Sequence, residues 1–193
     1  MNTEARVGTG SAGRLICHED KPERLLAGMN LLGLDVVLSD APVPPGSKVR
    51  AFSHLPGSCG VTFFASARLA AKASSNFPYS LAGVPLLLPF EGTAMRRALD
   101  AWFHKLGIRP SIAGEFYDSA LMKVFGEDGA GVFAAPQPIE GEIKRMYRVI
   151  PIGITEDVQE RFYAISAERK FKHPAVVGIC DAARHDIFSM NAA

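Results

Sequence analysis

The chain has 193 residues, enough for one large domain or two small ones, each with its own core. Hydrophobic residues make up 48% and charged residues 21%, a balance that excludes an intrinsically disordered chain. Lys and Arg (21) nearly cancel Asp and Glu (20), leaving a net charge of +1, so a surface that grips nucleic-acid phosphates is not expected.

Residues 1–13, "MNTEARVGTGSAG", are polar and glycine-rich and read as a flexible leader; without an apolar run they do not form a secretory signal. "GRLIC" predicts a short strand ending at Cys17. "KPERLLAGMNLLG" predicts a helix whose Leu25, Leu26, Met29 and Leu32 recur at helical spacing, with Gly33 as its C-terminal cap. "LDVVLSD" (34–40) is a continuous aliphatic run and predicts a buried strand, followed by the proline-rich loop "APVPPGSK". "SCGVTFFAS" (58–66) predicts another strand, rich in β-branched and aromatic residues.

Residues 67–82 have weak periodicity and predict a short helix and a connecting loop. "GVPLLLPF" (83–90) predicts a strand, and its prolines break a run already too short to span a membrane. Thr93 is placed to cap the next helix, with Met95, Leu99, Trp102, Phe103 and Leu106 on the apolar face and Arg96, Arg97, Asp100 and Lys105 opposite. Gly107 stops it, and "IRPSIAGEFYD" predicts a strand. Asp118 or Ser119 then caps a short helix with Leu121, Val124 and Phe125 facing inward. "GAG" at 129–131 turns the chain into the strand "VFAAP", and Pro136 with Pro138 opens a helix through Lys144. "YRVIPIG" and "ERFYAISAER" (160–169) predict two further strands, and "HPAVVGICDAARHDIF" a terminal helix.

Strands alternating with helices imply an α/β fold with a mainly parallel sheet, whose carboxyl ends share one edge where ligands bind. The segments Phe90–Thr93, Phe116–Ser119 and Ala134–Gln137 each join a strand's carboxyl end to a helix start, where free N–H groups favour anions. A run from 67 to 158 flanked by strands implies one lobe inserted into another: lobe I over 14–66 and 159–193, lobe II over 67–158, tied by two crossing segments. Closure of such lobes about a hinge couples binding to signal.

Chemistry-bearing patterns are few. Cys17, Cys59 and Cys180 form no CxxC pair and no zinc-ligand cluster with histidine, so reduced thiols serving as small core residues are expected, and no metal site. "HED" at 18–20 lacks the HExxH spacing, and the glycines of "GEDGAG" follow a helix rather than a strand, the wrong context for a dinucleotide turn. His54 lies near Cys59 in sequence, but nearness specifies no geometry. No catalytic residue and no cofactor is assigned, and an enzyme is not expected.

The stretches "RLICHEDKPERLLAGMNLLGLDVVLSDAP", "CGVTFFAS", "LLLPFEGTAMRRALDAWFHKLGIRP", "GEFYDSALMKVFGEDGAGVFAAP" and "ERFYAISAERKFKHPAV", in this order, resemble the effector-binding (substrate-binding) domain of LysR-type transcriptional regulators, and within it the NhaR-like subgroup. The resemblance spans about residues 14–180. It implies a periplasmic-binding-protein-like (type 2) two-lobe fold with a hinge. It starts at the family's second effector-domain strand, so the first strand and helix of lobe I are expected to be missing, as is the family's N-terminal helix-turn-helix. The implied function is sensing: a small ion or metabolite enters the cleft between lobes and its binding is transmitted to DNA-binding domains absent from this chain. The implied partners are that effector and a second copy, a homodimer formed through the effector domain; DNA would be reached only through the absent helix-turn-helix, and no membrane is involved. A cytoplasmic location is expected.

The ligand-binding residues expected on these grounds are Ser39, Asp40, Phe90, Glu91, Thr93, Phe116, Asp118, Ser119, Ala135 and Pro136. Each has a plainer alternative. Asp40 and the prolines after it equally terminate a strand, Thr93 and Asp118 equally cap helices, and Phe116, like Phe133, equally packs in a core. Rival functions are a solute-binding protein of the same fold, an enzyme built on it, and a dimerisation fragment with no ligand.

Overall fold

The computed structural model describes residues 16–29, 33–171 and 173–184. The expected leader, the start of the "GRLIC" strand, Leu32 and the end of the terminal helix lie outside these residues. Ile16 and Cys17 are exposed and belong to no strand, a departure from the expected strand there. The chain divides into two compact units: residues up to Ser58 with those from Arg161 on, and Cys59–Glu160.

In the first unit, α1 (Pro22–Gly28) opens on a proline, whose fixed φ and missing N–H suit the first helical turn. Its Leu26, with Met29 just beyond, packs on Val37 and Ile165, and Leu25 lies partly buried beside them. Gly33, at φ +62°, takes the left-handed turn that leads to Leu34. The expected strand over 34–40 is reduced to β1 (Val37–Ser39), which pairs antiparallel with Tyr163–Ile165. α6 (Pro174–Ala182) is capped by His173, whose Nδ1 accepts from the Ala175 N–H at 3.3 Å, and sets Val176 and Cys180 against Ala164.

Two long strands, β2 (Phe52–Ala65) and β6 (Ile150–Ser166), each run through a unit boundary. β6 replaces the two strands expected over 147–153 and 160–169. No proline interrupts 152–160, and the stretch stays extended because Ile152 and Val158 both bury in the main core of the second unit.

The rest of the second unit is βα in character. β3 (Pro85–Pro89) pairs in parallel with β4 (Ser111–Phe116), and Leu86 bridges in parallel to Val132, just before β5 (Phe133–Pro136). β5 pairs antiparallel with β2, Val61 opposite Pro136 and Phe64 opposite Phe133. The described strands thus form a four-stranded sheet in the order β1-β6-β2-β5 and the pair β3-β4. The expectation of a mainly parallel sheet therefore needs correction. β2 enters the unit against the direction of β3 and β5, so its link through α2 (Ala67–Ala73) is not a parallel crossover.

The aliphatic run of β3 is explained by burial on both faces. Leu86 and Leu88 join Val61, Phe63, Leu99, Trp102 and Phe103 on one side. Leu87 joins Phe64, Met122, Phe133, Ala135 and Ile143 on the other. α3 (Ala94–Leu106) covers the first face and ends at Gly107 with φ +68°; α4 (Ser119–Glu127) and α5 (Glu140–Met146) cover the second.

Two further expectations fail on helix faces. Leu121, Val124 and Phe125 of α4 do not face inward but are exposed; the buried side is Met122 and Gly126, one turn apart. A glycine there lets the helix lie against Phe133, and a hydrophobic stripe cannot reveal it because glycine contributes none. Arg96, expected on the solvent side of α3, is only 5% exposed.

One irregularity shapes the pairing of β3 and β4. Leu86 stands opposite Ile112 and Leu87 opposite Gly114, so Ala113 is an extra residue on β4.

Candidate functional site

The parallel direction of β3, β4 and β5 brings their carboxyl ends to one edge of the second unit. β3 and β4 finish level, with Pro89 opposite Phe116, and the Phe90 N–H donates to the Phe116 carbonyl at 2.8 Å. The edge therefore holds Phe90, Glu91 and Thr93 after β3, Phe116, Asp118 and Ser119 after β4, and Ala135 and Pro136 at the end of β5. Edges of this kind are where ligands meet open α/β sheets.

Each turn at the edge has a local cause. Gly92, at φ +92°, reverses the chain after β3. The Thr93 hydroxyl donates to the Phe90 carbonyl at 3.1 Å and accepts from the Arg96 N–H at 3.1 Å, capping α3. The Asp118 carboxylate accepts from the N–H groups of Ala120 (2.7 Å) and Leu121 (3.4 Å), capping α4. Ser119 is exposed, and its hydroxyl meets the Lys123 ammonium at 3.4 Å.

The aromatic residues divide between roles. The Phe90 ring stacks on Tyr117 with centroids 3.8 Å apart, and Tyr117 is 73% exposed. Phe116 is half-buried and packs its ring against Phe125 at 5.3 Å, while Phe133 is core. Ala135 is buried with Phe64 and Phe133, so its side chain belongs to that core; Pro136 beside it is half-buried.

Ser39 and Asp40 belong to the first unit. Ser39 closes β1 opposite Tyr163, and its hydroxyl accepts from the Ala41 N–H at 3.2 Å. Both are half-buried. A hollow of about 460 Å³ in the same unit is lined by Leu34, Ser166, Glu168, Phe171 and His173, among others, and by none of the expected ligand residues.

Three residues near the edge escaped the sequence reading. Burial pulls the Lys123 pKa below the ordinary lysine value, and the carboxylates of Glu160 and Asp118 offset this in part. The Gln137 side-chain oxygen is buried without a hydrogen-bond partner. Arg96 extends its guanidinium to four segments: Nε to both Asp100 oxygens at 3.0 Å, Nη1 to the Pro89 carbonyl at 3.1 Å and to Glu115, and Nη2 to Glu91 at 3.9 Å. Burial works against its charge, but the hydrogen bonds to Glu115 and Asp100 more than offset this and hold its pKa above the ordinary arginine value. No hydrophobic or charge pattern marks such a residue in advance; its spacing to Asp100 at i,i+4 was the one readable sign.

Burial, with the nearby Glu160 carboxylate, pushes the Cys59 thiol up to about 12, so it is protonated at neutral pH and a poor nucleophile. The His54 ring packs on Phe171 at 4.3 Å. Among the described residues no group of three or more His, Cys, Asp or Glu is arranged to hold a metal ion, and no helix is long and apolar enough to cross a membrane.

Comparison with known proteins places this geometry. Residues 14–186 match the family model described as the LysR substrate binding domain. The transcriptional activator protein NhaR of Escherichia coli (strain K12) is 36% identical over 185 residues, covering 96% of this chain and 60% of that protein. The chain thus spans about 60% of the length of the curated relatives it matches. Among solved structures, HinK, a LysR family transcriptional regulator from Pseudomonas aeruginosa, aligns with a TM-score of 0.66 at 16% identity, over 90% of this chain and 59% of that one. The Synechocystis PCC6803 CcmR regulatory domain in complex with 2-PG aligns with a TM-score of 0.60 at 16% identity, over 87% of this chain and 80% of that one. At such identities the solved structures show a shared fold, the type 2 periplasmic-binding-protein-like fold of LysR effector domains. The extent of the family match and the identity to NhaR carry the assignment itself: this chain belongs to the LysR substrate binding domain family and is an effector-binding domain of the LysR type.

Proposed function

We propose that this domain senses a small ion or metabolite for a LysR-type transcriptional regulator in the cytoplasm, and that it catalyses no reaction. The effector is held at the edge formed by Phe90, Glu91, Thr93, Phe116, Asp118, Ser119 and Pro136, with Ala135 contributing backbone only. Ser39 and Asp40 enter the proposal as ligand-facing residues of the other unit. The observation that carries this reading is the convergence of three strand ends at one edge, within a chain whose family is that of effector-binding domains. The CcmR regulatory domain, a relative in fold, is described in complex with 2-PG, which supports a small ligand here.

Binding passes to helix-turn-helix domains of the intact regulator, lying outside residues 1–193, as a free-energy bias. That requires the effector to prefer one state of the protein over another. A homodimer formed through this domain is part of the proposal.

A thermal-shift screen of the whole chain against alkali-metal chlorides and sodium salts of small carboxylates tests the reading. At least one compound is expected to raise the melting midpoint saturably, as a ligand of the folded state must. Ser119→Ala and Glu91→Gln should weaken that shift. A flat response across the panel counts against an effector site and favours a dimerisation role alone. Light scattering after gel filtration reads the dimer directly, as twice the 20.7 kDa chain.

A further inference from the structure

Arg96 is the third residue of α3, in the turn where the helix dipole disfavours a cation. It is buried as well, which adds desolvation to that cost. An apolar side chain of similar size would fill the same space without either penalty, and such replacements of buried ion networks are often neutral for stability. What apolar packing does not supply is direction. The guanidinium fork fixes the last carbonyl of β3 (Pro89), the side chain next to the end of β4 (Glu115), the turn after β3 (Glu91) and its own helix (Asp100).

Every one of those partners except Asp100 flanks the edge residues. Pro89 precedes Phe90, Glu115 precedes Phe116, and Glu91 is itself an edge residue whose side chain is 76% exposed. The Phe90–Phe116 backbone bond and the Phe90–Tyr117 stack both need β3 and β4 to end level. We propose that Arg96 is the positioning residue of the effector edge, holding the two strand ends and the Glu91 turn in the arrangement that a ligand meets. It does not touch the ligand; it acts through Phe90, Glu91 and Phe116. This inference rests on the reading that the edge takes an effector.

Two variants and two readouts test it in the full chain. R96M keeps the volume and removes the fork; E115Q keeps the fork and weakens one arm, and serves where R96M does not fold. Hydrogen exchange followed by mass spectrometry should show residues 90–93 and 116–119 opening about tenfold faster or more, with residues 132–135 unchanged. Melting shifts with the same chloride and carboxylate panel should shrink in both variants, more in R96M. Exchange that rises evenly across Cys59–Glu160, or a shift that R96M retains in full, overturns the role given to Arg96. A wild-type chain that takes no compound from the panel overturns the effector reading instead, and the exchange pattern keeps the two failures apart.

Discussion

Gly126 of α4 lies beneath the ring of Phe133, the first residue of β5, and a Cβ at this glycine would collide with the ring carbons Cδ1 and Cε1. Both partners are buried, and the ring stacks in turn on Phe64 with centroids 5.5 Å apart. The contact sets how closely α4 lies on the sheet, and so where its capped end stands at the edge. Gly126→Ala gains about 1 kcal/mol of helix propensity. Overpacking against a ring with no free side costs about 1–3 kcal/mol, and we expect the second effect to win. The urea midpoint should fall with the slope unchanged. A stabilised G126A would mean that the ring yields easily.

The caps at the edge are separable from any ligand role. Asp118→Ala and Thr93→Ala should each lower stability by about 1 kcal/mol, since each cap satisfies helix N–H groups. Asp118→Asn retains an acceptor and should cost only a few tenths. Thermal melts of the three variants without ligand give the comparison. If D118A melts like the wild type, the cap contributes nothing and the carboxylate must be held there for another reason.

The Cys59 thiol supplies a pH dependence with a definite sign. Its pKa is raised from the ordinary 9.0 to about 12, mainly by burial. The folded state thus keeps a proton that the unfolded state has lost. The stability linked to this group is whole below pH 9 and falls as pH climbs toward 12. Cys59→Ala should flatten part of the alkaline decline in urea midpoint. At pH 8 a thiol reagent should modify exposed Cys17 quickly, while Cys59 reacts only after unfolding.

Glu127 gives the opposite sign. Hydrogen bonds from the Arg148 side chain, at 3.0 Å, and from the Arg148 N–H hold its carboxyl below the ordinary glutamate value of 4.5. The stability linked to the pair is present above that value and lost as pH falls through the lowered folded-state one. In an NMR titration, Arg148→Ala should return Glu127 toward 4.5. An unmoved titration would assign the shift to the Arg148 N–H, which the variant keeps.

The elements of the second unit were legible because local chemistry and fold agree there. Thr93, Gly107, Asp118 and the glycines at 129–131 each mark a helix or strand boundary that the structure places within a residue or two. The gathering of Phe90–Thr93, Phe116–Ser119 and Ala134–Gln137 followed from strand direction alone. Three things did not follow. The inward face of α4 is built on a glycine, which carries no hydropathic signal. The continuity of β6 depends on Ile152 and Val158 finding a core, a tertiary matter. Arg96 is buried because four acceptors converge on it, and the Glu115 arm comes from β4, beyond any spacing a helix pattern reveals.

The extra residue in β4 bears on which lineages of this domain can survive. Beyond Ala113 the alternation of β4 resumes in the phase that sends Glu115 toward Arg96 and keeps Phe116 half-buried. Removing one codon from the stretch 111–113 would swap the two, sending the aromatic to the Arg96 side and the acid to the Phe125 side. A codon lost from the 42–48 loop would disturb nothing comparable, since that loop is mostly exposed. Among homologous genes, length variation should therefore gather in that loop and be purged from the six residues of β4, even where their identities drift.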